Sequence, residues 1–448
     1  MTQIYAGQAL LAGGWRADVR LTLEGERIVA IETGVPAQPG DERHAVLLPG
    51  LPNLHSHAFQ HAMAGLAERR GPGADSFWSW RETMYRFALT MDPVQVRAVA
   101  AHLYMEMLEA GFTRVGEFHY LHHDRDGQPY ADLAEMAAMI SEASAEAGIN
   151  LTLLPVFYAR SGFGGGAPTE GQRRFINTPD RFARLLEACR ALTEALPGAA
   201  LGIAPHSLRA AAPADLAEIL PLAAGGPIHI HVAEQVKEVE DCLAWSKARP
   251  VEWLLANAPV DGGWCLIHAT HMTESESREM ATRGATAGLC PITEANLGDG
   301  IFATEPFRAA GGAFGVGSDS NIRISLTEEL RTLEYSQRLS LRARNVVAEP
   351  GGSTGGQLFG EALAGGARAL GASMGLRPGH LADMITLDTA AAAHVPVDQL
   401  LDHWIFARGI SVDCVWARGR KRVSGGRHLE RERIAADFRR TMRELAGT

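Results

Sequence analysis

From about residue 50 to residue 372 the chain alternates eight short, nearly unbroken apolar runs with longer stretches of helical periodicity, and this alternation limits its fold more than any other feature. The runs are VLLPGLPNLHSH, FTRVGEFHY, NLTLLPVFY, AALGIAPHS, PIHIHVAE, WCLIHATH, ATAGLCPITE and AFGVGSDS. Continuous apolar strands are what a parallel sheet covered on both faces requires. Between them lie DPVQVRAVAAHLYMEMLEAG, opened by a capping Asp92 and closed by Gly111, and TPDRFARLLEACRALTEAL. Eight strand–helix units point to an α/β chain built as a (β/α)8 TIM-type barrel. A doubly wound open sheet is the competing architecture, but no G-x-G-x-x-G turn follows any strand. The two ends of the chain, LLAGGWRADVRLTLEGERIVAIE and ISVDCVWARGRKRVSGGRH, carry Gly-punctuated antiparallel alternation instead. The expected organisation is a small β-sandwich made of residues 1–48 and 373–430, a barrel over 49–372 and a C-terminal helix over 431–448.

Composition narrows the function. The chain has 52 acidic against 42 basic residues, a net charge of −10, with no basic stripe that could track a phosphate backbone, so no nucleic-acid partner is expected. No apolar stretch is long enough to span a bilayer, and MTQIYAGQALLAGGWRAD lacks the basic start and apolar middle of a secretory signal. The chain reads as cytoplasmic, with no membrane partner. Its five cysteines lack C-x-x-C spacing and read as small buried hydrophobes, not as a disulfide framework or a thiolate metal site.

Barrel active sites form where the strands end, and here nearly every strand ends in polar side chains. His55 and His57 share one face of the first strand, because residues two apart on a strand point the same way. The second strand supplies Glu117, His119 and Tyr120, the fourth His206 and Arg209, the fifth His229, His231 and Glu234, the sixth His268 and His271, and the eighth Asp319. His231 is nearer the end of its strand than His229 and can reach an ion held by His55 and His57. Asp319, beside the first strand once a barrel closes, completes a site of three imidazoles and one carboxylate with room for a water.

This pattern resembles the amidohydrolase superfamily. The resemblance covers the barrel and the bipartite β-domain, and it rests on a His-x-His after strand one, a His after each of strands five and six, and an Asp after strand eight. Binuclear members carry a carboxylated lysine on strand four. The only lysines here are Lys237, Lys247 and Lys421, none on a barrel strand, so one divalent ion per chain is implied. The ligand set favours Zn2+, with Fe2+ or Mn2+ as alternatives. A closer resemblance, carried by PGLPNLHSHAFQHAMAGLAE, GEFHYLHHDRDGQPY, APHSLRA, HIHVAEQ and WCLIHATHM, is to the formimidoylglutamate deiminases of histidine degradation.

That resemblance implies hydrolysis of N-formimidoyl-L-glutamate to N-formyl-L-glutamate and ammonia by a metal-bound hydroxide. A small dicarboxylate substrate requires fixed cations, for which Arg81 and Arg209 are the candidates. Gln60, Tyr120 and His206 would supply hydrogen bonds to it. Asp319 would take the proton of the attacking water, Glu234 would deliver one to the departing nitrogen, and His268 would polarise the water and stabilise the tetrahedral intermediate. His271 and His229 are expected to be structural, Glu117 and His119 to orient ligands, and SGFGGGAPTEGQ to be either a lid or a simply exposed loop. A homodimer is implied by the same resemblance. Two other readings stay open: a deaminase of a guanine- or adenosine-type heterocycle, which would not need two arginines in its pocket, and a catalytically inactive scaffold, which would not need an intact set of His55, His57, His231, Glu234, His268 and Asp319.

Overall fold

The computed structural model describes residues 1–70 and 77–447. Eight parallel strand positions form a closed barrel: Leu51–Ser56, Phe112–His119, Asn150–Phe157, the two short pieces Ala200–Leu201 and Ala204–Pro205, Ile228–Val232, Trp264–His268, Thr286–Leu289 and Ala313–Val316. Single bridges close the ring, Ile203 to Ile228 and Ser207 to His231 on one side and Ser56 to Asp319 on the other. The fourth strand is interrupted at Gly202 and Ile203, and a Cβ on Gly202 would stand 2.3 Å from the Pro227 carbonyl oxygen. The eighth reaches the first through Gly317, whose missing side chain lets the backbone of His55 approach: a Cβ would lie 2.7 Å from the His55 nitrogen. The helices follow their signals. Pro93–Ala110 starts at a capping box on Asp92 and ends at Gly111 in the left-handed conformation, and Pro179–Ala195 starts at the Thr178 cap.

One apparent strand is two. In VLLPGLPNLHSH the segment Glu42–Pro49 belongs to the terminal sheet, and the barrel strand begins only at Leu51. Gly50 marks the switch, packed so tightly on Thr113 that no side chain fits there. Strict apolar continuity hid this change of sheet.

The two ends of the chain pair as one continuous eight-stranded sheet. Its spatial order is Arg427–His428, Arg420–Ser424, Ser411–Ala417, Met384–Asp388, Glu42–Pro49, Thr2–Leu11, Gly14–Glu24 and Arg27–Thr33. A bridge from Arg27 to Leu381 brings its last strand back toward the C-terminal half, so the sheet curls around its own core of Ile4, Val19, Leu21, Leu47, Met384 and Trp416. The final helix, Arg431–Ala446, lies against Pro93–Ala110, with Phe438 stacked on His102 at 4.0 Å. All five cysteines are buried and unpaired. Among the described residues no helix is long and apolar enough to cross a membrane.

Candidate active site

The first strand ends by presenting His55 and His57 at the barrel mouth, their rings edge to face at 4.6 Å. Their Nε2 atoms lie 3.3 and 3.2 Å from Asp319 Oδ1, and His55 Nε2 lies 3.1 Å from His231 Nε2. Four potential ligand atoms therefore converge from strands one, five and eight, all on buried residues. These three separations are close to the edge of a tetrahedron around an ion at about 2.0–2.1 Å, roughly 3.3–3.4 Å. Two of the rings are oriented from behind. His57 Nδ1 donates to the Phe118 carbonyl and His231 Nδ1 to the His206 carbonyl, both at 3.0 Å. Each bond uses the single proton of a neutral imidazole and turns the Nε2 lone pair inward. Converging lone pairs in a dry site repel one another unless a cation lies between them, so the donor set fits a divalent metal.

Asp319 occupies the left-handed region, φ 47°, and is fixed through main-chain bonds from its own N–H to His55 and from the His57 N–H to its carbonyl. Burial acts to raise its carboxyl pKa, but the contacts with His55 and His57 and the charge of His268 hold it well below the usual range. Behind it runs a network invisible to motif reading. Asn53 donates to Ser318 Oγ, Ser318 donates to Asn321, and the Asn321 amide donates to the His57 carbonyl and to Ser56 Oγ.

Opposite the metal cluster, His268 also sits at positive φ, 64°. Its Nδ1 is 3.2 Å from Glu294, and its Nε2 is 3.8 Å from both Glu234 and Asp319. Burial alone would lower this imidazole; the charge of Glu234, the Glu294 hydrogen bond and Asp319 outweigh it and push the pKa up to about 10. Glu234 is raised by burial, against the pull of His268 and Arg209. It follows Ala233, φ 51°, in a turn held by Glu238, whose two carboxylate oxygens accept from the Ala233 and Glu234 N–H groups at 3.1 Å. Glu238 and Glu234 also flank Arg209, at 3.9 and 3.6 Å.

These groups open on a cavity of about 230 Å³. It is lined by nearly every residue singled out from sequence: His57, Gln60, Arg81, Tyr120, His206, Arg209, His231, Glu234, His268 and Asp319, with His55 reaching it only through the ligand cluster. Gln60 donates to the Tyr120 hydroxyl at 2.7 Å, and its own carbonyl oxygen is buried without a hydrogen-bond partner. Phe163 of the Gly-rich loop stands at the cavity and stacks on Trp245. Four other candidates lie elsewhere. His229 is tied to the Ala369 carbonyl, His271 to that of Asp299, and His119 packs edge-on to His122, while Glu117 accepts from the Ala58 N–H and the Tyr104 hydroxyl beneath the His57 turn. Sequence reasoning missed Glu238, Glu294, Asn321 and the Tyr158–Gln172 pair in the cavity wall. Glu238 alone carried a signal, as the carboxylate four residues beyond Glu234 in HVAEQVKE.

Residues 46–422 match the amidohydrolase family, and the chain belongs to it. Residues 1–45 match a second family, "Formimidoylglutamate deiminase HutF, N-terminal domain". Over 99% of its length and 100% of the relative's, the chain is 50% identical to a formimidoylglutamate deiminase from Pseudomonas aeruginosa. It is 29% identical, over 88% of its length and 86% of the relative's, to a 5-methylthioadenosine/S-adenosylhomocysteine deaminase from Natronomonas pharaonis. Among solved structures, an amidohydrolase from Brucella melitensis superposes with a TM-score of 0.98 at 60% identity, covering 100% of both chains. An adenosine deaminase from Xanthomonas campestris with bound zinc superposes at 0.82 with 21% identity, covering 100% of this chain and 99% of the other, which shows the shared fold.

Proposed function

We propose that this chain is a formimidoylglutamate deiminase: it hydrolyses the C–N bond of N-formimidoyl-L-glutamate, giving N-formyl-L-glutamate and ammonia in histidine degradation. The full-length 50% identity to a deiminase of that name carries the reading. The site supports it with two guanidiniums, Arg81 and Arg209, on one small cavity that also contains the ligand cluster. A dicarboxylate is matched by two guanidiniums on one cavity, whereas a neutral purine offers them no charge to bind.

His55, His57, His231 and Asp319 would hold one divalent ion, for which three imidazoles and one carboxylate favour zinc. When bound, that ion supplies Lewis acidity and brings the pKa of a coordinated water toward neutrality. Arg81 and Arg209 bind the substrate carboxylates and place the formimidoyl carbon over the ligand cluster. The unpartnered Gln60 carbonyl accepts an N–H of the substrate, while Tyr120 and His206 hold the chain of the glutamate. Asp319 accepts the proton of the attacking water. Glu234, kept at an elevated pKa by burial, passes a proton to the imino nitrogen so that it leaves as ammonia. His268, cationic between Glu234, Glu294 and Asp319, faces the oxygen on which negative charge develops. Two copies of the chain would form a homodimer in the cytoplasm.

The test is ammonia release from N-formimidoyl-L-glutamate, N-formimidoyl-L-aspartate, guanine and adenosine, each with and without a chelator. The proposal expects rapid, chelator-sensitive release from the glutamate derivative and none from the purines. Release from a purine with none from either formimidoyl acid would overturn it.

A further inference from the structure

A second group of potential metal ligands lies outside the catalytic cavity and shares no residue with it. His61 belongs to the short turn Ala58–Met63 just after the first barrel strand, and His102 and Glu106 sit one turn apart on helix Pro93–Ala110. His61 Nε2 lies 3.3 Å from His102 Nδ1 and 3.3 Å from Glu106 Oε2, and His102 Nδ1 lies 3.9 Å from Glu106 Oε1. Atoms held at about 2.0–2.1 Å from a tetrahedral ion stand roughly 3.3–3.4 Å apart, so two of these spacings already match and the third needs a small turn of the flexible Glu106.

The rings are set for the task. His61 Nδ1 donates to the Asn321 carbonyl at 3.0 Å, which uses the proton of the neutral ring and leaves the Nε2 lone pair facing the cluster. His102 is held in place by its stack on Phe438, the planes inclined by only 12°. Two guanidiniums line the adjoining surface cleft, but each has its own counter-charge: Arg431 is paired with Glu109, and Arg323 with Glu328. The cleft gives an ion a way in, and Glu106 keeps 31% of its side chain exposed toward solvent.

We propose that His61, His102 and Glu106 form a peripheral site for a divalent transition metal of the zinc class, with water as the fourth ligand. The chemistry is that of a nitrogen–nitrogen–oxygen set with one open position, which suits zinc or cobalt and not calcium or magnesium, which prefer all-oxygen shells. An ion there ties the turn Ala58–Met63 to helix Pro93–Ala110. Through Asn321, which receives His61 and donates to the His57 carbonyl, it also braces the loop that carries a catalytic-site histidine.

The test starts from protein already holding one equivalent of zinc per chain and adds Zn2+ in a calorimeter, with bound metal counted by elemental analysis after gel filtration. Wild type is expected to take up a second equivalent and to melt at a higher temperature when it does. His61→Asn and Glu106→Gln, two variants with partly exposed side chains, are expected to keep the first equivalent and weaken the second about 10-fold or more. A wild-type chain that never exceeds one equivalent overturns the proposal. A second equivalent of unchanged affinity in both variants overturns it too, because the ion then lies elsewhere.

Discussion

Replacing Glu238 by glutamine isolates a residue that touches neither substrate nor metal ligand but fixes two groups that do the work. Its two oxygens accept the Ala233 and Glu234 N–H groups at 3.1 Å each, and the side chain is buried. Glutamine keeps one acceptor and sets an NH2 group against the other N–H, donor against donor. One charge-assisted hydrogen bond is lost, worth about 1.5–3 kcal/mol, and a buried donor is left unpaired. Ala233 is held at φ 51°, a conformation that a non-glycine residue keeps only when its surroundings enforce it. Relaxation of this turn moves Glu234, and a displacement on the order of 1 Å in a reacting group costs about 100-fold. Arg209 meanwhile loses one of its two carboxylate neighbours and meets an anionic substrate with more net charge, not less. Glu238→Gln should therefore lower kcat about 10- to 100-fold, or ~1.4–2.7 kcal/mol, without raising KM. Steady-state ammonia release, with circular dichroism and a melting curve to establish the fold, measures both parameters. A folded variant with kcat within twofold of wild type would refute the assigned role, and so would a raised KM at unchanged kcat.

Three further expectations test other parts of the account. Glu234→Gln should retain the metal by elemental analysis yet lose turnover by about 100- to 10,000-fold, the range for removing a general acid; a near-normal rate would remove it from that role. His231→Ala, or a chelator on wild type, should strip metal and activity together, with zinc restoring only the wild type. Stability should also depend on pH through His119, which burial pushes down to about 3. Well above pH 6.5 the ring is neutral in both states and contributes nothing. As pH falls, the unfolded chain takes up a proton that the folded ring refuses, so stability drops by about 1 kcal/mol between pH 6.5 and 5.5 from this residue. Urea unfolding at the two pH values should show a loss about 1 kcal/mol smaller in His119→Gln than in wild type, the other buried imidazoles such as His55 and His102 contributing equally to both; equal losses would contradict it.

The barrel was legible because most of its strands are buried on both faces and leave plain apolar runs, and because the polar residues that end those runs break the pattern at the mouth. What stayed hidden depends on contacts between distant segments. Gly50 reads as one more residue of an apolar run, yet it is where the chain leaves one sheet for another. That both chain ends join in one β-domain was readable from their shared alternation, but not that its strands form one continuous sheet in which Glu42–Pro49 lies between Met384–Asp388 and Thr2–Leu11. In the site, His229 and His231 share a face of their strand and were separated by depth alone; the structure brings His231 to the ligand cluster and turns His229 to the Ala369 carbonyl. Asn321 and Glu294 carry no such signal: each becomes informative only when the fold brings it within reach of His57 or His268.

The central claim is that water attacks the formimidoyl carbon and ammonia leaves, with the bond to the glutamate nitrogen intact. Mass spectrometry of the product formed from N-formimidoyl-L-glutamate in 18O-labelled water tests it directly. The account predicts N-formylglutamate carrying one 18O atom, with one ammonia released per turnover. Glutamate and labelled formamide in place of these products would contradict it.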